Sequence, residues 1–135
     1  MKKGFIPEYG AAGWQLSNAP VLAMAVHNAS LQLFEEAGME NLTTKSKLLT
    51  GYLQFVLEQS GKNLKIITPQ DQRGCQLSIL TDANGKALFQ HLQNNGIIAD
   101  WREPNVIRMA PVPLYNSFED VWRVGEAVRG FIKIK

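Results

Sequence analysis

The sequence predicts an α+β domain, a short and mostly antiparallel sheet with helices packed on one face. Apolar residues recur at helical spacing in four segments, while four shorter segments alternate or run in β-branched residues. The strand-like segments come in two adjacent pairs. That gives the order ααββαββα, not the strict alternation of a parallel doubly wound sheet. A third observation is bulk composition. At 45% hydrophobic and 19% charged residues over 135 positions, the chain has material for one core and lies far from disordered compositions.

Residues 1 to 18 carry Gly4, Pro7, Gly10 and Gly13 without periodicity and read as a lead-in, with residues 19 to 135 forming the domain. Phe5, Tyr9 and Trp14 in this lead-in need a surface to lie on, which points to sequence upstream. Ser17-Asn18 before Pro20 fits a helix cap followed by proline in the first turn, and Val21, Leu22, Ala25, Val26, Ala29 and Leu33 form a stripe that Gly38 ends. A second helix runs from about Leu42 to Ser60, with Leu49, Tyr52, Leu53, Val56 and Leu57 on its apolar face and Gly61 as its stop. Residues 64 to 68 and 75 to 81 are the first strand pair. Asp82 to Gly85 is a turn, and Leu88, Phe89 and Leu92 mark a third helix over 86 to 95, closed by Gly96. Residues 97 to 101 and 106 to 110 are the second strand pair, joined by Arg102-Glu103-Pro104-Asn105. Pro111 and Pro113 stop the sheet. Ser117 to Asp120 is a capping signal, and Phe118, Val121, Trp122, Gly125, Val128 and Ile132 give the last helix.

The same residues exclude several chemistries. A net charge of +2, with basic residues scattered, is too little for a nucleic-acid footprint, and the lysine pairs at the two ends (Lys2 and Lys3; Lys133 and Lys135) read as solvated tails. No apolar run approaches the roughly 20 residues of a membrane span, and MKKGFIPEYGAAG lacks the apolar stretch of a signal peptide, so the default location is cytoplasmic. The single Cys75 allows no internal disulfide and, read as mid-strand, is a buried, inert thiol. His27 and His91 lie in helices without metal-ligand spacing, so no metal is assigned. There is no Gly-rich phosphate loop, and Asp82 to Lys86 is a turn.

Two polar residues stand in odd places. Arg108 sits between Ile107 and Met109, just before an Ala-Pro-Val-Pro segment that two prolines hold extended. Its guanidinium either snorkels to solvent or clamps a carboxylate through two parallel hydrogen bonds. Asn18 is a helix cap by default, and a cap can also touch a ligand.

In order, Gly13 to Asn18 (GWQLSN), Leu48 to Leu53 (LLTGYL), Ile67-Thr68-Pro69, Arg73 to Leu77 (RGCQL) and Arg108 to Ser117 (RMAPVPLYNS) resemble the C-terminal part of kynureninases over nearly the whole chain. The resemblance implies the small C-terminal domain of an aminotransferase-like, fold type I enzyme. Such an enzyme is a homodimer that uses pyridoxal 5'-phosphate to hydrolyse L-kynurenine, or its 3-hydroxy form, to anthranilate, or its 3-hydroxy form, and L-alanine, in tryptophan catabolism and NAD biosynthesis. By that likeness Arg108 holds the substrate α-carboxylate. Asn18 lies near cofactor and substrate ring, reaching the neighbouring subunit's active site. The chain departs from the family pattern in one large respect: the cofactor-bearing lysine, the phosphate-binding residues and the aspartate facing the pyridine nitrogen belong to a larger N-terminal domain, and the lysine motif has no match here. The chain therefore resembles the last third of the enzyme, expected by itself to show neither cofactor colour nor turnover and to expose the surface around Phe5, Trp14 and the first helix. Two other readings are a free-standing carboxylate-binding or regulatory module and a sister branch such as the cysteine desulfurases. The latter calls for a reactive cysteine on a mobile loop, where Cys75 reads as buried.

Overall fold

Gly38 divides the chain. Its φ of +77° turns the backbone where a side chain would be strained, ending one helix, α1 (Val21–Ala37), and starting the next, α2 (Met39–Glu58). The computed structural model describes residues 4, 6–61 and 64–133, so Lys2, Lys3, Phe5 and Lys135 lie outside the described residues. It contains two compact units, residues 1–37 and residues 38–135, each described by itself.

In the first unit the lead-in is not wholly irregular. Gly10–Trp14 forms a 3-10 turn, and Trp14 is exposed. The first helical hydrogen bond of α1 runs from Met24 N–H to the Pro20 carbonyl, so Pro20, not Asn18, holds the cap position. Proline forces the residue before it into an extended conformation, which keeps Asn18 and Ala19 out of the helix. No side chain of α1 is buried.

In the second unit, four strands, β1 (Leu64–Ile66), β2 (Leu77–Thr81), β3 (Asp100–Arg102) and β4 (Val106–Met109), form one sheet in the order β1-β2-β4-β3, every neighbouring pair antiparallel. Helix α3 (Gly85–Asn94) connects the strand pairs and α4 (Phe118–Lys133) follows β4. The register places Ile66, Ile79, Ile107 and Trp101 in one row, and Leu77 beside Met109. Opposed residues share a face. That face meets Leu49, Leu53, Val56 and Leu57 of α2, Leu88 and Leu92 of α3, and Val121 and Val128 of α4, which together make the core. Two close approaches fix it. A Cβ on Gly85 would stand 1.8 Å from Thr81 Oγ1, and one on Gly125 would stand 3.0 Å from Val56 Cβ, so α3 meets β2, and α4 meets α2, at glycine.

Element order agrees with the sequence reading; several boundaries do not. Helix α2 starts at Met39, because the Gly38 carbonyl accepts Leu42 N–H. The strand expected over 97 to 101 begins only at Asp100. Helix α3 closes with Gly96 at φ +75°, Gly96 N–H on the Gln93 carbonyl and Ile97 N–H on the Leu92 carbonyl, a Schellman closure that takes Ile97 out of any ladder. Strand β2 begins at Leu77, not Cys75. Its partner β4 gives way to Ala110 and Pro111, and proline offers no N–H to extend the pairing.

Candidate functional site

The sheet face turned away from α2, α3 and α4 carries the polar groups. Register again decides which meet: Ser78 pairs with Arg108, and Arg108 with Asp100, so the three lie side by side across β2, β4 and β3. Arg108 Nε donates to Asp100 Oδ2 at 2.7 Å, and Nη2 donates to the same oxygen. Arg102 Nε donates to it as well, at 2.9 Å. Asp100 therefore gathers two guanidinium groups on one carboxylate oxygen. The Arg108 hydrogen bond holds its carboxyl below the usual carboxylate range, opposed by desolvation and assisted by the Arg102 charge. The Arg108 guanidinium is paired with Asp100, and its side chain is 31% exposed against 48% for Asp100.

The segment after Arg108 is built to stay put. Val112 N–H donates to Asn116 Oδ1 at 2.8 Å, and Asn116 N–H returns to the Val112 carbonyl at 2.9 Å. Lys45 Nζ, from α2, donates to the Pro113 carbonyl at 2.7 Å. Ser117 and Asp120 form a reciprocal capping box: Ser117 N–H to Asp120 Oδ2 at 2.7 Å, and Asp120 N–H to Ser117 Oγ at 3.2 Å. The Ser117 N–H, then its hydroxyl, hold the Asp120 carboxyl low. Arg108 thus sits between a β-ladder and a loop pinned at three points.

Asn18 lies in the first unit, exposed, two residues before the α1 cap, with no side-chain hydrogen bond among the described residues. Cys75, expected buried in a strand, is half-buried in the bend before β2, for the reason that shortens that strand. His27 is exposed in α1, and the His91 ring lies 5.5 Å from that of Phe131. Among the described residues no group of three or more His, Cys, Asp or Glu could hold a metal, and no helix is long and apolar enough to cross a membrane.

Asp100 and Arg102 were not among the sequence candidates. A signal for Asp100 existed: a hairpin centred on Pro104 pairs Asp100 with Arg108, whereas a turn placed over Arg102 to Asn105 centres the pairing half a residue lower.

Compared with known proteins, residues 42–128 match the family profile of the kynureninase C-terminal domain. The kynureninase of Flavobacterium psychrophilum is 47% identical over 135 residues, covering 96% of this chain, and that of Xanthomonas campestris pv. campestris is 52% identical over 134 residues, covering 95%. The chain spans about a third of these curated relatives, 32% of each. Among solved structures, a NifS-like protein superimposes with a TM-score of 0.75 at 19% identity, over 96% of this chain and 39% of its own. A C-DES variant with glycine covalently linked to its PLP cofactor gives 0.71 at 17%, over 91% of this chain and 35% of its own. Those structural likenesses establish the shared fold of the small domain in fold type I enzymes. Cys75, half-buried in a bend, is not the buried strand thiol that the sequence set against the cysteine-desulfurase reading. By its matched residues and its relatives, this chain belongs to the kynureninase C-terminal domain family.

Proposed function

We propose that this chain, comprising a lead-in over 1 to 18 and a domain over 19 to 135, is the part of a cytoplasmic, homodimeric kynureninase that captures the substrate's α-carboxylate. The reaction adds water across the bond joining the alanyl part of L-kynurenine, or its 3-hydroxy form, to the aryl carbonyl, giving anthranilate, or its 3-hydroxy form, and L-alanine. The observation that carries the reading is Arg108: one guanidinium edge is held by Asp100, and the other has no partner among the described residues. A planar fork fixed in this way meets a carboxylate bidentately with little further loss of freedom.

Pyridoxal phosphate, when bound, supplies the electron sink that lets bonds at the substrate's amino-acid carbons break. No described lysine of this chain suits its attachment. Lys45 and Lys86 are engaged by the Pro113 carbonyl and by Glu103, while Lys47, Lys65 and Lys133 are exposed. The attachment belongs to the remaining two thirds of the enzyme. Asn18, with a free amide and a place just before α1, is proposed as a contact to cofactor and substrate ring.

The test is Arg108→Gln in the full-length enzyme. KM for L-kynurenine should rise roughly a hundredfold, the loss expected when a charge-assisted bidentate pair becomes a single neutral contact. An unchanged KM sinks the reading.

A further inference from the structure

We propose that Asp100 is the positioning residue of this clamp: by taking the Nε–Nη2 edge of Arg108 it fixes the guanidinium plane and leaves the Nη1–Nη2 edge for the ligand's carboxylate. The inference rests on the reading of Arg108 as the clamp and deepens it.

Three observations converge. First, the two residues are direct cross-strand partners, so the ladder between β3 and β4 sets their spacing before any side chain chooses a rotamer. Second, the contact is side-on. Nε and Nη2 both donate to Oδ2, which defines the guanidinium plane far better than a single bond from either nitrogen. Third, the charge count is favourable to an anion. Arg108 and Arg102 share one carboxylate oxygen, so the cluster keeps one net positive charge after pairing. A fully neutralised Arg108 would attract an anion poorly; an unpaired one would sample many rotamers.

Asp100 also repels an incoming carboxylate, and the two effects oppose each other. At an exposed site that repulsion, screened by water and salt, is worth on the order of threefold in affinity. Freeing a long, rotamer-rich arginine costs more than that. Orientation therefore wins, and removing Asp100 weakens binding. A role limited to closing the hairpin predicts something else: a half-exposed ion pair adds little to stability, and its loss would not single out one group on the ligand.

The experiment uses the full-length enzyme, with L-kynurenine as substrate and the amine analogue lacking its α-carboxylate as competitor. Asp100→Asn should raise KM about tenfold, a size typical of coupling between contacting charged residues, with kcat within about twofold of wild type and the analogue's inhibition constant unchanged. Combined with Arg108→Gln it should add nothing further, because it acts through that arginine. Asp100→Glu, which keeps the charge one methylene away, should hold KM closer to wild type than Asp100→Asn does. A KM unmoved or lowered in Asp100→Asn, equal weakening of acid and amine, full additivity in the double variant, or a worse result for Glu than for Asn would each overturn the proposal. If Arg108→Gln alone leaves KM unchanged, the clamp itself is wrong; if Arg108→Gln raises KM and Asp100→Asn does not, only the positioning role is.

Discussion

The two faces of the sheet are built from the same four strands and answer to different rules. On the helix-covered face the row Ile66, Ile79, Ile107 and Trp101 packs into or against the apolar core, with Lys86 Nζ over the Trp101 ring at its edge, and register matters because a slip of one residue would bury Arg108 and Ser78 in their place. On the opposite face, Ser78, Arg108 and Asp100 occupy the alternate positions, where burial is partial and charge does the organising. Alternation therefore uses one set of backbone bonds twice. The core fixes the strands, and the strands aim the arginine.

The sharpest way to break this division is to substitute neighbouring residues of one strand. Leu77 is fully buried and pairs with Met109, so Leu77→Ala should destabilise the chain by about 2–5 kcal/mol, transfer and cavity terms together. Ser78 is the next residue, on the other face, and Ser78→Ala should cost less than about 0.5 kcal/mol, since its hydroxyl has no partner among the described residues while its backbone N–H donates to Thr68 Oγ1 and its carbonyl accepts Ile67 N–H. Urea denaturation of both variants measures the difference. Equal costs would mean that the two faces are not separate in energy.

How much of this was legible in the sequence depends on the range of the interactions. The order of helices and strands, the α2 face from Leu49 to Leu57 and the Ser117-Asp120 cap are local, and periodicity shows them. What it missed lies elsewhere. Strand β3 lost its first residues to the closure of α3 around Gly96, where two local motifs compete for Ile97. The cap of α1 moved from Asn18 to Pro20, because the carbonyl that accepts the first helical bond need not belong to the residue with the best capping side chain. The placing of β4 between β2 and β3 depends on long-range pairing that no short window contains. Of the site, Arg108 stood out as a charge between apolar residues. Asp100 did not, because it becomes its partner only once the hairpin register is set. The hold of Lys45 on the Pro113 carbonyl spans 68 positions and leaves no trace in either segment alone.

The loop that leads out of β4 can be tested with a smaller effect. Ser117→Ala removes the hydroxyl that accepts Asp120 N–H while keeping the Ser117 backbone N–H on the Asp120 carboxylate, so half of the capping box survives. The expected cost is about 1 kcal/mol in the denaturation midpoint. If α4 were held only by its buried Val121 and Val128, the cost would vanish, and the loop's order would have to come from Lys45 and Asn116.

The smallest effect concerns charge on the polar side of the molecule. Asp100 and Asp120 both have folded-state carboxyls held below the ordinary value, the first chiefly by the Arg108 hydrogen bond and the second chiefly by the Ser117 N–H. A depressed carboxyl stabilises the fold above its unfolded pKa, and that stabilisation drains away as pH falls through the folded value. The chain should therefore lose stability between neutral pH and about pH 3, and Asp120→Asn should narrow the difference between midpoints measured at those two values. Asp100→Asn should narrow it too, and by more while Arg108 is present. In an Arg108→Gln background the Asp100 carboxyl loses the first cause of its depression but keeps the Arg102 charge and hydrogen bond, so the same substitution should move the acid limb less. That dependence would tie the pH response of the fold to the pair proposed to aim the clamp, while an acid limb indifferent to Arg108 would assign it to Arg102 instead.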